Sequence, residues 1–184
     1  MRELFDLIDP DLDLNGTRFV RPSVRGIIIK DNRIAAVHSM MYDYYKFPGG
    51  GKDQGEDDIS TLIREVKEEA GLDVIVSSVR EYGRVYRLEK GAVADIFEQE
   101  NLYYLCNSSN TSGEQDLDDY EFQENFTLEW ITPDEFYSVN MRFVNSVDGS
   151  DDLALISKRA EAVRDSRVAK MLADEGFIAD NCIL

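Results

Sequence analysis

A glycine-rich loop that runs into a glutamate-rich helix most limits what this chain can fold into. Residues 50–72 read GGKDQGEDDISTLIREVKEEAGL. Apolar side chains recur at helical spacing over residues 57–70, which predicts an amphipathic helix. Glu65, Glu68 and Glu69 would then share one face of that helix, where like charges repel one another. Crowded carboxylates make most sense beside a divalent cation such as Mg²⁺, which prefers oxygen ligands.

The charge balance limits the class of partner. The chain has 184 residues, with 20 Lys and Arg against 37 Asp and Glu, for a net charge of −17. This balance argues against a nucleic-acid polymer as partner, since tracking a phosphate backbone needs a basic surface. It leaves a small phosphorylated ligand open, because a bound metal ion can reverse the local sign.

The sequence also limits the cellular compartment that we expect for this chain. No apolar run approaches the roughly 18 residues that a bilayer-spanning helix needs, so we expect no membrane partner. The first residues lack the basic and apolar regions of a secretory signal. Cys106 and Cys182 have no metal-ligand spacing and are expected to be plain thiols, which suits a reducing, cytoplasmic location.

Hydrophobic patterning predicts a layered α+β domain with a mixed sheet rather than a regular doubly wound one. We expect residues 1–20 to form an N-terminal arm, as a short helix or irregular chain. Residues 21–150 would form the main domain. Residues 151–184 would form a C-terminal helix packed on that domain or extending it. The β-rich run Val74–Val79 predicts a strand after the glutamate-rich helix.

The spacing of residues 50–72 resembles the signature of the Nudix hydrolase family. That signature is Gly, five residues, Glu, seven residues, then Arg-Glu-apolar-x-Glu-Glu-x-Gly-apolar. Here it is matched at every position, by Gly50, Glu56, Arg64, Glu65, Val66, Glu68, Glu69, Gly71 and Leu72. The resemblance implies the family's α/β/α sandwich. It also implies hydrolysis of the pyrophosphate bond in a nucleoside diphosphate linked to another moiety.

The resemblance also implies a metal site. Glu68 and Glu69 would be the main ligands of Mg²⁺, with Mn²⁺ as the alternative ion. The Gly49 carbonyl would add a ligand, as it does in relatives. Glu65 would be either a further ligand or the general base that activates water. The chemistry agrees, because divalent ions neutralise the charge that develops on phosphate oxygens.

Other groups would assist these ligands. Arg64 can orient a helix carboxylate through a charge-assisted hydrogen bond, the alternative being a surface pair with Glu68 four residues on. Glu56 would be a supporting carboxylate. Many relatives supply one more acid from a loop outside the signature. Glu121 and Glu124 are the candidates, and we favour Glu124 as a catalytic residue over a merely solvated acidic loop.

The substrate is less constrained. The proline associated with ADP-ribose hydrolases and the tyrosine associated with dinucleoside polyphosphates are absent from their expected places near residues 87–90. A nucleoside triphosphate, including oxidised forms, is therefore favoured. The alternatives are an ADP-ribose or nucleotide-sugar pyrophosphatase, a nucleotide-sensing protein without catalysis, and an acidic interaction protein that uses its C-terminal helix. Relatives are often homodimers. The candidate substrate-binding residues, each of which could also be ordinary surface, are Arg25, Arg84, Arg87, Tyr42, Tyr44, Tyr45, Gly50 and Gly51.

Overall fold

The computed structural model describes residues 1–178, apart from the side chains of residues 110–112. The strands are β1 (Glu3–Ile8), β2 (Arg18–Val20), β3 (Ser23–Ile27), β4 (Ile29–Lys30), β5 (Arg33–Ser39), β6 (Tyr44–Lys46), β7 (Gly49–Gly51), β8 (Leu72–Val74), β9 (Arg80–Lys90), β10 (Ile96–Leu105), β11 (Ser108–Ser112) and β12 (Phe126–Ile131). The α-helices are α1 (Asp58–Ala70), α2 (Asp119–Gln123), α3 (Pro133–Ser146) and α4 (Leu153–Asp174).

A mixed sheet forms the centre of the fold. Its strand order is β1-β9-β10-β3-β7, and β2 also pairs with β10. Strands β9 and β10 are antiparallel, whereas β1 runs parallel to β9 and β3 runs parallel to β10. A second sheet has the order β12-β5-β4, with β6 paired to β5. The edge strand β7 is the glycine loop, and its pairing places Gly49 opposite Arg25 of β3.

Helices cover both faces of the sheets. Along β3, Ile27 packs in one hydrophobic cluster with residues of α3 and α4, while Val24 packs in another with Leu62 and Val66 of α1. Alternating side chains of a strand point to opposite faces, so the two clusters lie on either side. The expected α+β fold, an α/β/α sandwich with a mixed sheet, is confirmed.

Helix α1 matches the predicted helix. It begins after Asp57, whose Oδ1 accepts a hydrogen bond of 2.7 Å from the Ser60 backbone N–H. It ends at Gly71, whose φ of 65° is the left-handed conformation that glycine adopts most easily. The strand predicted over Val74–Val79 is wrong for most of its length, because β8 ends at Val74 and a 3₁₀ turn follows at Val76–Ser78.

The N-terminal residues belong to the sheet. The expectation of a short helix or irregular arm is wrong for Glu3–Ile8, which forms β1 and pairs in parallel with β9. This partner lies some eighty residues along the chain, so local pattern alone carried little sign of it. Within residues 1–178, no helix has the length and apolar character needed to cross a membrane.

Helix α4 is the predicted C-terminal helix and packs on the domain. Val168, Ala169 and Leu172 are fully buried in the same cluster as Phe136 of α3. Cys106 is a buried free thiol, as expected for a plain cysteine. Cys182 lies outside the described residues.

A buried carboxylate ties α4 to the chain just before the glycine loop. Asp165 is fully buried, and its Oδ2 accepts a hydrogen bond of 3.0 Å from the Phe47 backbone N–H. Its Oδ1 accepts from the Tyr103 hydroxyl at 2.5 Å and from Arg164 Nε at 2.7 Å. Phe47 precedes Pro48 and Gly49, so this carboxylate fixes the helix, the sheet and the loop relative to one another.

We expect Asp165→Ala to lower the free energy of unfolding by about 3–5 kcal/mol, because it leaves a buried arginine without its charge partner. Urea denaturation monitored by circular dichroism measures this. The control is Asp174→Ala on the same helix, whose side chain is 62% exposed and pairs with Lys170. That exposed pair should contribute only about 0.2–0.5 kcal/mol. Equal losses in the two variants would contradict the anchoring role.

Candidate active site

The glycine loop lies against β3 and α1 with no room for side chains. Gly49 has a φ of 144°, and a Cβ there would clash with the Val24 carbonyl oxygen. A Cβ on Gly50 would clash with the carboxylate of Glu65. Glycine at these two positions therefore lets the loop backbone lie close to β3 and to the Glu65 carboxylate.

Arg64 lies among three carboxylates. Its Nε and Nη2 donate to the two oxygens of Glu56, each at 2.8 Å. Its Nη1 donates to Glu65 at 2.8 Å and to Glu68 at 3.0 Å. The pair with Glu68 that sequence offered as an alternative is therefore one contact among several. These are the contacts that an orienting arginine would make.

Glu69 lies deeper than the other acids of the signature. It is 1% exposed and accepts hydrogen bonds from Lys46 Nζ at 2.6 Å and from the Gly49 backbone N–H at 2.9 Å. Burial raises its pKa to about 8, because desolvation outweighs the charges of Lys46 and Arg25. Burial also raises the pKa of Glu65, against the opposing effect of Arg64.

The two candidate acids outside the signature lie in different places. Glu121, on α2, is 4% exposed and accepts hydrogen bonds from the Asp118 backbone N–H at 2.9 Å and from the Tyr120 hydroxyl at 2.8 Å. It lies near enough to Glu69 for its charge to raise the pKa of Glu69. Although burial opposes it, the charge of Lys46 lowers the pKa of Glu121. Glu124 instead accepts hydrogen bonds from Ser39 Oγ at 2.8 Å and from Lys158 of α4. The structure thus places Glu121, and not the favoured Glu124, beside the signature helix.

A cleft of about 320 Å³ opens beside the glycine loop. Gly49, Gly50 and Gly51 line it, together with Ser157, Lys158 and Glu161 of α4. Although the whole chain has a net charge of −17, five basic side chains line the cleft. These basic residues are Arg21, Arg25, Lys46, Arg87 and Lys158.

A family model described as the NUDIX domain matches residues 20–147, which is more than half of the chain. The chain belongs to the Nudix family. The resemblance drawn from residues 50–72 is confirmed.

Individual Nudix relatives are more distant. An RNA pyrophosphohydrolase from a Nitratiruptor species is 39% identical over 61 residues, which are 30% of this chain and 39% of that protein. The match therefore spans well under half of the relative. Among solved structures, a NUDIX hydrolase from Nitrosomonas europaea has a TM-score of 0.52 and 15% identity, covering 83% of this chain and 91% of its own. A MutT NUDIX hydrolase from Burkholderia pseudomallei has a TM-score of 0.50 and 17% identity, with 63% and 85% covered. These structures support the Nudix fold.

The predicted substrate-binding residues divide into two groups. Arg25, Arg87, Tyr44 and the glycines line the cleft. Arg84 lies outside it and pairs with Glu3 and Glu100. Tyr45 is also outside, buried with its ring stacked 4.3 Å from His38.

Sequence reasoning missed three cleft cations. Lys46 directly precedes Phe47-Pro48-Gly49, so proximity to the signature could have identified it. Arg21 precedes Pro22 at the turn into β3, and its guanidinium lies against Gly51. Lys158 is on α4, far from the signature in sequence, and no local pattern signalled it.

The donor set of the Nudix signature fits a divalent cation in its chemistry. Glu65, Glu68 and Glu69 are oxygen donors on one helix face, and Glu68 is 36% exposed beside the loop. The Gly49 carbonyl, expected to be a ligand, accepts a hydrogen bond from Arg25. Within residues 1–178, no three acidic, histidine or cysteine side chains already converge as metal ligands do. Glu65 and Glu68, which are hydrogen-bonded to Arg64, would have to move in order to coordinate one metal ion together.

The Arg64 contacts predict a pH dependence of stability. The hydrogen bond from Arg64 lowers the pKa of Glu56 from 4.5 to about 2. A carboxylate with a depressed folded-state pKa stabilises the protein above its ordinary pKa, and this contribution disappears as the pH falls. We expect Glu56→Gln to be less stable than wild type at pH 6, with the difference shrinking between pH 4.5 and pH 2. Urea titrations at each pH measure it.

The matched control is Glu114→Gln, a substitution at an exposed glutamate of a loop. It should leave the free energy of unfolding close to wild type throughout the range. A Glu56→Gln deficit that stayed constant from pH 6 to pH 2 would contradict the assignment.

Proposed function

We propose that this Nudix protein hydrolyses the pyrophosphate bond of a nucleoside triphosphate, oxidised forms included, with Mg²⁺ or Mn²⁺ as cofactor. One observation carries the proposal: the Glu65 carboxylate lies so close to Gly50 that a Cβ there would clash with it, and Gly50 also lines the cleft of basic residues. The carboxylates of the signature and the groups suited to phosphate therefore meet at one loop. A polyphosphate chain bound in the cleft would lie next to those carboxylates.

The chain's own residues have separate tasks in this proposal. The glycine backbone lets phosphate oxygens approach closely. Lys46 and Arg25 offset negative charge in a partly water-excluded site, where such charges act strongly. Glu65 accepts a proton from the attacking water at a carboxylate oxygen, and its burial suits that task because a raised pKa makes a better base near neutral pH. Arg64 keeps Glu65 oriented.

Glu68 and Glu69 would hold the divalent cation, which supplies neutralisation of phosphate charge and a lowered pKa of bound water. Glu65 would be a further ligand only in the alternative in which another group is the base. We propose Glu121 as the outside acid in preference to Glu124, because its charge acts on Glu69 of the signature. Glu124 stays a candidate through its pair with Lys158, a cleft residue.

The 5′-triphosphate end of RNA is a second candidate substrate, favoured by the name of the Nitratiruptor relative. It carries the same triphosphate on a polymer. ADP-ribose and nucleotide sugars remain alternatives, as does a nucleotide-sensing protein that binds without cleaving.

A substrate panel with Mg²⁺ tests the proposal. We expect turnover of at least one nucleoside triphosphate, with release measured by chromatography, and a loss of about 10²- to 10³-fold in kcat for Glu68→Gln, which removes one charge next to the reaction. The panel should include oxidised nucleotides, ADP-ribose, nucleotide sugars and 5′-triphosphorylated RNA. Glu114→Gln is the control and should keep full activity.

Absence of turnover for every compound would refute the enzymatic proposal. Tight nucleotide binding without product over hours would favour the sensing protein. Preference for RNA over the free nucleotide would move the proposal to the second candidate.

Metal binding can be measured without a substrate, through its effect on the thermal midpoint of unfolding. We expect millimolar Mg²⁺ to raise the thermal midpoint of the wild-type protein, because a ligand that binds only the folded state stabilises it by about 2.7 kcal/mol at one hundred times its Kd. Glu68→Gln should lose most of the rise, and Glu114→Gln should keep it. Differential scanning fluorimetry measures the three proteins. An equal rise in all three would place the metal elsewhere.

Domain organisation and assembly stay predictions. We propose that residues 21–150 carry the signature chemistry and that residues 151–184 complete the cleft through α4. We also propose a homodimer, which sedimentation at micromolar concentration would test.

A further inference from the structure

Helix α4 lies beyond the part of the chain that the Nudix family model matches. That match ends at residue 147, whereas α4 runs from Leu153 to Asp174. The helix nevertheless contributes Ser157, Lys158 and Glu161 to the cleft. Residues on both sides of the point where that match ends therefore line the cleft.

Two arginines facing this helix are incompletely satisfied. Arg87 is 1% exposed, and its Nη1 has no hydrogen-bond partner among the described residues. Arg25 is 4% exposed, and its Nε likewise lacks a partner in the described chain. A buried N–H group without a partner costs about 1–3 kcal/mol, and more when it is charged. Such groups in a cleft indicate a site built for an anion.

Glu161 lies between the two guanidinium groups without satisfying them. Its Oε1 is 3.8 Å from Arg25 Nη2 and 3.9 Å from Arg87 Nη1, which is beyond hydrogen-bond distance. Its Oε2 accepts a weak hydrogen bond of 3.3 Å from the Tyr44 hydroxyl. The Glu161 carboxylate thus attracts both arginines electrostatically but forms no hydrogen bond with their unpaired N–H groups.

Lys158 adds a third cation on the same side. Its ammonium pairs with Glu124 and lies 4.9 Å from the centre of the Tyr42 ring. It is one helical turn from Glu161 and follows Ser157, whose hydroxyl accepts a hydrogen bond of 2.6 Å from Arg87 Nη2. Arg87, Arg25 and Lys158 therefore line the same cleft as Glu161.

We propose that Arg25, Arg87 and Lys158 form a phosphate subsite, at which Glu161 competes with the bound phosphate, and that this subsite selects substrates with a third phosphate beyond the two joined by the bond that is cleaved. The ligand class is a polyphosphate chain of at least three phosphates. The selectivity rests on the proposed function, but the anion site itself does not. Glu161 weakens binding of any anion there, as do Glu89 and Glu124, which pair with Arg87 and Lys158, so the affinity reflects a balance between three basic residues and three acids.

Two substitutions on α4 should change anion affinity in opposite directions. We measure binding of inorganic tripolyphosphate by isothermal titration calorimetry, without divalent metal and at fixed ionic strength. Lys158→Gln should weaken binding about five- to tenfold, the effect of losing one charge-assisted contact. Lys158→Arg should restore most of it. Glu161→Gln should tighten binding about three- to tenfold, because it removes the competing charge and keeps the shape.

Lys170→Gln is the matched control, since Lys170 lies on α4 with its side chain 64% exposed and does not line the cleft. It should leave the Kd unchanged. Weaker binding by Glu161→Gln, or no change in Lys158→Gln, would overturn the subsite. Because this assay needs no turnover, it decides the anion site even if the substrate panel fails.

Kinetics on any substrate from the panel test the selectivity. Lys158→Gln should raise KM for a nucleoside triphosphate by a similar factor, because it removes one positive charge from the phosphate subsite. KM for ADP-ribose, which lacks a third phosphate, should rise by a much smaller factor. An equal rise in KM for both substrates would overturn the selectivity.

Discussion

Arg64 forms hydrogen bonds with three carboxylates that would otherwise repel one another, and the site depends on this interaction. Glu56 accepts hydrogen bonds from Nε and Nη2 of Arg64, while Glu65 and Glu68 both accept hydrogen bonds from Nη1. A planar guanidinium can serve several acids at once, whereas a lysine ammonium could not keep the same geometry. Because the Glu65 carboxylate also lies close to Gly50, the arginine sets the position of the helix face relative to the glycine loop. The acids that are expected to bind a metal ion are thus held together by the positive charge of Arg64.

The position of the loop depends in turn on a residue far along the chain. Asp165 of α4 accepts hydrogen bonds from the Phe47 backbone and the Tyr103 hydroxyl, and its charge balances that of Arg164. Removing charges from water is costly, so these buried groups are stable only as a complete set. The same helix places Lys158 and Glu161 in the cleft. Helix α4 therefore supports the glycine loop and also forms one wall of the cleft, which agrees with the proposed role for the segment after residue 147.

Sequence predicted the parts of the site that are close together in the chain. The α1 helix, its end at Gly71 and the shared face of Glu65 and Glu69 follow from spacing alone, because a helix converts spacing into direction. Contacts between distant segments could not be predicted this way. The parallel pairing of β1 with β9, the position of Lys158 and the choice between Glu121 and Glu124 depend on tertiary packing. Arg84 and Arg87, by contrast, lie three residues apart on one strand, so alternation alone places them on opposite faces, and Arg84 pairs outside the cleft.

The charge of the whole chain and the charge of the cleft favour different ligands. At physiological ionic strength, charges separated by more than about 8 Å are largely screened, so a small anion in the cleft experiences mainly the nearby arginines and lysines. A long polyanion would extend past them over a surface that belongs to a chain of net charge −17. Its further phosphates would then meet repulsion rather than the basic contacts that nucleic-acid binding requires. The electrostatics therefore support the proposed free nucleotide over the 5′ end of a long RNA, even though both would present the same triphosphate to Arg25, Arg87 and Lys158.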